Sequence, residues 1–150
     1  MNIVLFEPEI PPNTGSVGRL CVATQSPLHL IQPLGFALDD KHLKRAGLDY
    51  WAHVDLRIHN SWQGFVNLHG TTRLHYFSKK AEKSYITARF RDDDFLVFGP
   101  ETRGLPQTLL DANKSRCYLI PMMSPIVRSL NLANAVSIVL YESLRQLGRV

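Results

Sequence analysis

The sequence predicts an α/β fold in which a mostly parallel sheet is covered by helices on both faces. Short apolar runs alternate along the chain with segments that begin at helix-capping residues, which is the pattern of repeated strand and helix units. Several runs are apolar throughout, as expected for strands that have no solvated face. At 150 residues, of which 45% are hydrophobic, the chain can bury the core of one domain, and we assign residues 1–150 to it.

The individual elements follow from the position of these runs and of the capping residues. Six strands are predicted, at residues 3–6, 28–31, 54–58, 74–77, 95–98 and 118–120. Three helices are predicted behind side chains that can cap a helix N terminus, from Asn13 or Thr14 to Thr24, from Asp39 to Ala46, and from Ser61 to Leu68. The polar segment 79–94 is expected to be an exposed excursion between two strands.

A final helix is predicted over residues 131–147, and apolar side chains surround most of its circumference. Its polar side chains gather on one side, at Asn131, Asn134, Ser137, Tyr141 and Arg145. Such a helix must be buried on two faces. In a domain of this size one face can pack on the sheet and the other on a second copy of the chain, which predicts a two-fold dimer. The alternative is a helix that is simply central to the monomer.

Charge and cysteine usage limit the class of protein only loosely. The net charge of +4 favours a polyanionic partner, although charge alone does not separate nucleic-acid-binding proteins from other basic domains. Cys21 and Cys117 lie in apolar surroundings without C-x-x-C spacing, so we expect buried thiols in a reducing compartment. No secretory leader is recognisable and no apolar stretch reaches about 18 residues, so we expect a soluble, cytoplasmic protein without a membrane partner.

Common catalytic motifs are missing from the sequence. It contains no G-x-x-x-x-G-K-[ST] loop, no G-x-G-x-x-G, no G-x-S-x-G and no H-E-x-x-H, which disfavours ATP hydrolysis, dinucleotide redox chemistry and serine hydrolysis. The six histidines are scattered without ligand spacing. We therefore predict no metal site and expect surface or packing roles for the histidines in or beside strands and turns, His53, His59, His69 and His75.

Three segments at the ends of predicted strands are candidates for a functional site, because this fold class binds its ligands there. The first contains Asn13, Gly15 and Arg19, although a capped helix with a surface arginine explains it equally well. The second, FGPETRGLP at residues 98–106, combines glycines and prolines into a rigid loop whose peptide groups can bind a flat polar ring. The third runs from residue 120 to Ser129, which can cap the last helix, and to Asn131, which can face the pocket from the first turn, so both have a structural alternative.

These segments resemble a known family. N-x-G-x-x-x-R ending at Arg19, then FGPETRGLP, then SLNL at residues 129–132 followed by Tyr141 and Glu142, resemble the three motifs of the SPOUT superfamily of trefoil-knotted RNA methyltransferases. The opening NIVLFEPEIPPNTG and the segment LGFALDDKHLKRAGLDYW resemble more narrowly the bacterial branch that methylates the ribose 2'-hydroxyl of cytidine or uridine at the tRNA wobble position. The resemblance covers nearly the whole chain.

The resemblance implies a C-terminal trefoil knot that holds S-adenosyl-L-methionine, and a homodimer with its active site at the subunit junction. It implies cofactor contacts at Phe77, Ser78, Gly99, Ile120, Met122, Ser129 and Leu130. Arg19 would face the reacting ribose, either as proton acceptor or, since a guanidinium keeps its proton, as an electrostatic and phosphate-binding group. Asn131 and Tyr141 would complete the catalytic site.

The expected partner is the tRNA anticodon stem-loop, whose unpaired bases can be read in a single-stranded region. Candidate RNA-binding residues are the basic side chains near the motifs, Arg19, Lys79, Lys80, Arg103 and Arg128. Three alternatives stay open at this point: a non-catalytic RNA-binding module of the same fold, 2'-O-methylation of ribosomal RNA, and a nucleotide-binding hydrolase or reductase on an ordinary open sheet.

Overall fold

The computed structural model of the protein describes residues 1–38 and 49–150. Its strands are β1 (Asn2–Phe6), β2 (Leu28–Ile31), β3 (Leu56–His59), β4 (Leu74–Phe77), β5 (Lys83–Ser84), β6 (Phe95–Phe98) and β7 (Cys117–Leu119). Its α-helices are α1 (Pro11–Thr24), α2 (Trp62–His69), α3 (Gln107–Asp111) and α4 (Leu132–Gln146), with 3-10 turns at Asp49–His53, Tyr85–Thr87 and Lys114–Arg116. The helix predicted from Asp39 to Ala46 lies outside the described residues. Within the described chain, no helix combines the length and the apolar character needed to cross a bilayer.

All described strands form one parallel sheet in the order β3-β2-β1-β6-β4-β7-β5. The chain therefore runs outward from β1 through β2 to β3 and then returns to the other half of the sheet. The direction of winding reverses beside β1 and β6. In parallel sheets such a reversal leaves a crevice at the carboxyl ends of the strands. The prediction of a parallel α/β sheet is confirmed.

Helices cover both faces of the sheet because the central strands are apolar on both sides. Ile3 and Leu5 of β1 belong to a core cluster that includes residues of α1 and α4, while Val4 and Phe6 belong to a second cluster that includes residues of α2 and α3. All residues of β1 are buried. Because side chains alternate across a strand, this one strand fixes both layers.

Several helix and strand bounds differ from the sequence prediction by one or two residues, and three of the differences have a clear cause. Helix α1 begins at Pro11 and not at Asn13 or Thr14, because two prolines occupy its first positions, where a backbone N–H is not needed. Asn131 and not Ser129 caps α4, since its side chain accepts hydrogen bonds from Ala133 N and Asn134 N. Strand β3 begins at Leu56, because Val54 N turns back to Trp51 O.

The segment 79–94 is not wholly the exposed excursion that was predicted. It supplies edge strand β5, which pairs with β7, and it buries Ala88 and Phe90. Gln146 of α4 fixes this segment, since its side chain donates to Ala88 O and accepts from Phe90 N, both at 3.2 Å. The polar composition of the segment gave no sign of these contacts, because only a few of the segment's residues face inward.

Candidate active site

A cavity of about 560 Å³ lies at the carboxyl edge of the sheet, where the winding reverses. Four chain segments line it, within residues 10–13, 77–80, 98–104 and 120–135, and we call it the edge cavity. The structure brings to it all the residues proposed to bind cofactor: Phe77, Ser78, Gly99, Ile120, Met122, Ser129 and Leu130. Asn131, Lys79, Lys80 and Arg103 line it as well.

The loop after β6 is closed on itself at Gly99. A Cβ atom at this position would lie 2.3 Å from Leu105 N and 2.4 Å from the carbonyl carbon of Gly104, closer than non-bonded atoms approach. Gly104 has a φ of 68°, and its N–H donates to Pro100 O at 2.9 Å. Leu105 then anchors the loop in the core with 1% of its surface exposed. The wall of the edge cavity at this point is therefore backbone packed on backbone.

Glu101 joins the three segments that the sequence marked as candidates. Its carboxylate accepts hydrogen bonds from Glu9 N at 2.8 Å, Ile10 N at 3.2 Å and Asn13 Nδ2 at 3.0 Å. Asn13 Oδ1 in turn accepts from Asn131 Nδ2 at 2.9 Å, and Asn131 caps α4. Sequence reasoning included Glu101 in the motif but missed this role. A charged residue between glycines and prolines was the available signal.

A second set of contacts ties the same loop to the turn after β1. Thr102 donates to Glu9 Oε2 from its backbone N at 3.1 Å and from its hydroxyl at 2.7 Å. These Thr102 hydrogen bonds hold the pKa of Glu9 below its usual value. Arg103 forms an ion pair with Glu7, which has a left-handed φ of 48°. Arg103 is thus partly engaged within the protein, with 61% of its side chain exposed.

The lining suits a ligand with a planar apolar part and a polar edge. Phe77 and Phe98 stack with ring centroids 5.0 Å apart at one side of the edge cavity. The backbone groups of Ile120, Met122 and Leu130 make no backbone hydrogen bond within the described parts of the chain, so they can serve a ligand. An adenine ring with an amino-acid tail, as in S-adenosyl-L-methionine, fits this combination of stacking surface and free peptide groups.

Three of the predicted site residues do not line the edge cavity of a single chain: Arg19, Arg128 and Tyr141. Arg19 is exposed on α1, and its guanidinium carbon lies 4.7 Å from the centroid of the Tyr50 ring. Tyr50 is held in place because its hydroxyl donates to Gly15 O at 2.8 Å. Tyr141 is 47% exposed on α4. Arg128 is exposed in the loop before α4, and its carbonyl accepts a hydrogen bond from Lys79 Nζ at 3.3 Å.

Three histidines that no sequence pattern groups also come together. His29, His59 and His69 each place one ring nitrogen within 4.8 Å of the others, and we call them the histidine cluster. None of them lines the edge cavity. The prediction of no metal rested on the lack of ligand spacing along the chain, and these residues are separated by 30 and 10 positions.

The chain is similar to RNA methyltransferases over its whole length. A tRNA (cytidine(34)-2'-O)-methyltransferase of Escherichia coli K12 is 48% identical over 148 residues, which cover 99% of this chain and 94% of the relative. A protein of the same name from Saccharophagus degradans is 50% identical, and the match covers 98% of this chain and 96% of that protein. A solved structure concerned with the 2-OH methylation of C/U34 on tRNA is 52% identical with a TM-score of 0.90, covering 98% and 95%. An AdoMet-bound rRNA methyltransferase from Sinorhizobium meliloti shares the fold with a TM-score of 0.81. It is 21% identical, and the match covers 97% of this chain and 56% of that one.

The parallel sheet with a cavity at its carboxyl edge, together with these similar proteins, defines an α/β enzyme of the RNA methyltransferase type. The profile of the SpoU rRNA methylase family matches residues 1–141. The chain belongs to the SpoU rRNA methylase family.

Proposed function

We propose that the protein transfers a methyl group from S-adenosyl-L-methionine to the ribose 2'-hydroxyl of the wobble nucleotide, cytidine or uridine 34, in the tRNA anticodon. The observation that carries the proposal is that the matched motifs meet at one cavity whose lining suits the cofactor, in a chain 48% identical to a tRNA (cytidine(34)-2'-O)-methyltransferase. The alternative on ribosomal RNA has the family's description in its favour, but the relatives that match most of this chain act on tRNA.

The chemistry asks little of the protein except alignment and charge. S-adenosyl-L-methionine supplies an electrophilic methyl group on a sulfonium. Gly99, Ile120 and Leu130 would hold the cofactor through their peptide groups, and the Phe77 ring would face its apolar part. Fixing the cofactor and the 2'-oxygen in line can account for much of the rate, because it removes the entropic cost of their encounter.

Arg19 is proposed to act on the reacting ribose of an RNA that is bound at the edge cavity of a neighbouring subunit. It is exposed, carries its charge beside the Tyr50 ring, and does not line the edge cavity of its own chain. A charge on the outside of one subunit can complete a cavity of another. There it would bind the phosphate beside the target nucleotide and stabilise the negative charge that develops on the 2'-oxygen.

We propose a homodimer as the arrangement that makes this possible. On α4, Ile138 and Tyr141 leave 37% and 47% of their surfaces exposed, although the opposite face of the helix is buried in the core. A second copy of the chain would cover these apolar side chains. We also propose the C-terminal trefoil knot, on the support of family membership and of an edge cavity built from the loops that follow β4, β6 and β7.

The RNA would approach the rim of the edge cavity, where Lys79, Lys80 and Arg103 lie and Arg128 is near. Basic side chains at this rim can neutralise the phosphates on either side of the target nucleotide. We propose a cytoplasmic location, because that is where a tRNA substrate would be available.

The direct test is methyl transfer to synthetic anticodon stem-loops in the presence of S-adenosyl-L-methionine. We expect methylation of stem-loops with cytidine or uridine 34 and none of the matched stem-loop with a 2'-deoxynucleotide at that position. Mass spectrometry of nuclease fragments locates the product. Methylation at another nucleotide, or only of ribosomal RNA fragments, would overturn the substrate. Calorimetry with S-adenosylhomocysteine tests the alternative of a non-catalytic RNA-binding module. Absence of binding would show that the protein does not hold this type of cofactor, and would favour the module.

A further inference from the structure

We propose that the histidine cluster, His29, His59 and His69, is a binding site for Zn²⁺ or a chemically similar divalent transition ion. Three imidazoles with an open fourth position form a recognised protein site for such ions. The site lies outside the edge cavity, and its existence does not depend on the methyl-transfer reaction.

The backbone places the three side chains on one face of the sheet margin. His29 lies in the middle of β2, and His59 ends the adjacent edge strand β3. His69 is the last residue of α2, the helix that packs Phe65 into the core cluster on this face. Three rigid elements therefore supply one ligand each, which fixes their relative positions better than a loop would.

The distances are close to those of a metal site. One ring nitrogen from each residue lies within 4.8 Å of the others, and His29 Nδ1 is 3.0 Å from His59 Nε2. Ligands about 2.0–2.1 Å from a tetrahedral zinc ion lie roughly 3.4 Å from one another. The observed separations, from 3.0 Å to at most 4.8 Å, bracket this value.

The cluster also contains polar atoms that need a partner. His29 is fully buried, and its Nε2 and the Nε2 of His69 are buried without a hydrogen-bond partner among the described residues. Buried ring nitrogens are normally satisfied, because leaving one unpaired costs free energy. An ion held by His29 Nδ1, the atom that faces His59, would give His69 Nε2 the partner that the described residues do not supply.

The protonation state favours ligation. Burial lowers the pKa of His29 to about 3, and burial also lowers the pKa of His59 and His69. Neutral imidazole is the form that binds metals, and burial favours that form in all three rings. The nearby charges are Arg57, which opposes a cation, and Asp55, which favours one. Asp55 binds both Nε and an Nη of Arg57, at 3.1 and 2.8 Å, and so offsets its charge.

The surroundings are those of a site with one accessible side. The rings of Phe65 and Phe95 pack against the imidazoles with centroids 4.9–5.7 Å apart, which leaves little room for water on the inner side. His59 and His69 are only partly buried. An ion could enter from this side, and a water molecule could occupy the fourth position there.

Titration with Co²⁺ tests the proposal, because tetrahedral Co²⁺ absorbs visible light and free Co²⁺ hardly does. Untagged protein is first stripped with a chelator. We expect saturable visible absorption at one ion per chain, and its loss when one equivalent of Zn²⁺ is added. His59→Ala and His69→Ala should each abolish the absorption. His53→Ala, which removes an exposed histidine outside the cluster, should leave it unchanged.

A thermal unfolding series separates binding from a folding defect. Zn²⁺ should raise the Tm of the wild-type protein and of His53→Ala, but not that of His59→Ala or His69→Ala, whose Tm without metal shows whether they are folded. Wild-type protein that shows neither saturable absorption nor a Zn²⁺-dependent Tm would overturn the proposal and leave the cluster as aromatic packing. Binding that survives both cluster variants would overturn it as well.

Discussion

At the scale of single residues, Glu101 is the side chain that connects the segments around the edge cavity. It accepts hydrogen bonds from two backbone N–H groups in the turn after β1 and from Asn13, which in turn receives one from Asn131. A carboxylate is suited to this place because it accepts several hydrogen bonds and donates none. The loop after β6 therefore cannot shift without disturbing the start of α1 and the cap of α4.

Replacing Glu101 with glutamine should loosen this junction while preserving size. The NH2 group of the glutamine would face groups that are themselves hydrogen-bond donors. At least one hydrogen bond to the carboxylate would therefore be lost, which would destabilise the junction by about 1.5–3 kcal/mol. We expect weaker binding of S-adenosylhomocysteine by calorimetry, by roughly ten- to a hundredfold. Glu82→Gln, at an exposed position, is the control. Unchanged affinity in Glu101→Gln would show that the junction does not shape the cavity.

Gly99→Ala should be damaging for a different reason. The added methyl group would overlap backbone atoms of Gly104 and Leu105, which cannot move aside as a side chain could. We expect a loss of about 1–3 kcal/mol in the free energy of unfolding, measured by urea denaturation, together with loss of cofactor binding. Gly64→Ala in α2, where the nearest atom to a Cβ is Ser61 Oγ at 3.4 Å, should be neutral or slightly stabilising.

Arg19→Ala should separate catalysis from cofactor binding. Because Arg19 does not line the edge cavity of its own chain, S-adenosylhomocysteine should bind normally. Methyl transfer to the anticodon stem-loop should fall by about 10²–10³-fold, the range for removal of one group that stabilises developing charge. Arg19→Lys should recover part of the activity if charge alone matters. Arg89→Ala serves as the control at an exposed arginine, and full activity in Arg19→Ala would remove Arg19 from the mechanism.

At the scale of elements, the sequence was most informative where burial was complete. Strands β2, β4 and β6 were predicted to the residue, because each is an apolar run buried on both faces. Strand β5 was missed, since Lys83 and Ser84 are polar and only their pairing with β7 makes them a strand. The start of α1 was misplaced because capping side chains were weighted above the two prolines before them.

Helix α4 leads to a prediction about assembly. If its exposed side forms the dimer interface, Ile138→Arg should place a charge in that interface and shift the protein from two chains to one, as measured by light scattering after gel filtration. Methyl transfer should be lost with the dimer. Leu68→Arg, at a 71% exposed position on α2, should leave the mass unchanged. A wild-type protein that elutes as a single chain would contradict the dimer.

At the scale of the whole molecule, tertiary contacts decided what the sequence could not. The residues around the edge cavity were identified through a family resemblance, since no local pattern relates Asn13 to Asn131 across 118 positions. The stacking of Arg19 on Tyr50 and the histidine cluster had no sequence signal at all. Residues that meet only through the sheet order are separated along the chain by whole strands and helices.

The two thiols report on the integrity of the whole fold. Cys21 is 1% exposed, and burial raises its pKa to about 12, while burial also raises the pKa of Cys117. At pH 8 both are protonated and shielded, so neither should react with Ellman's reagent in the native protein. Both should react in denaturant, with Cys21→Ser giving half the signal. Rapid reaction of the native protein would contradict the burial of these thiols.

The residues that line the edge cavity extend from position 10 to position 135, so a fragment that lacks any part of this range lacks part of the cavity. During synthesis on the ribosome, the turn after β1 and the loop after β6 would emerge well before Asn131, which links them to α4 through Asn13. Cofactor affinity should therefore arise abruptly, when almost the whole polypeptide has left the exit tunnel. Nascent chains arrested at successive lengths would show it, and in the cell such late maturation means that a prematurely terminated product cannot sequester the methyl donor.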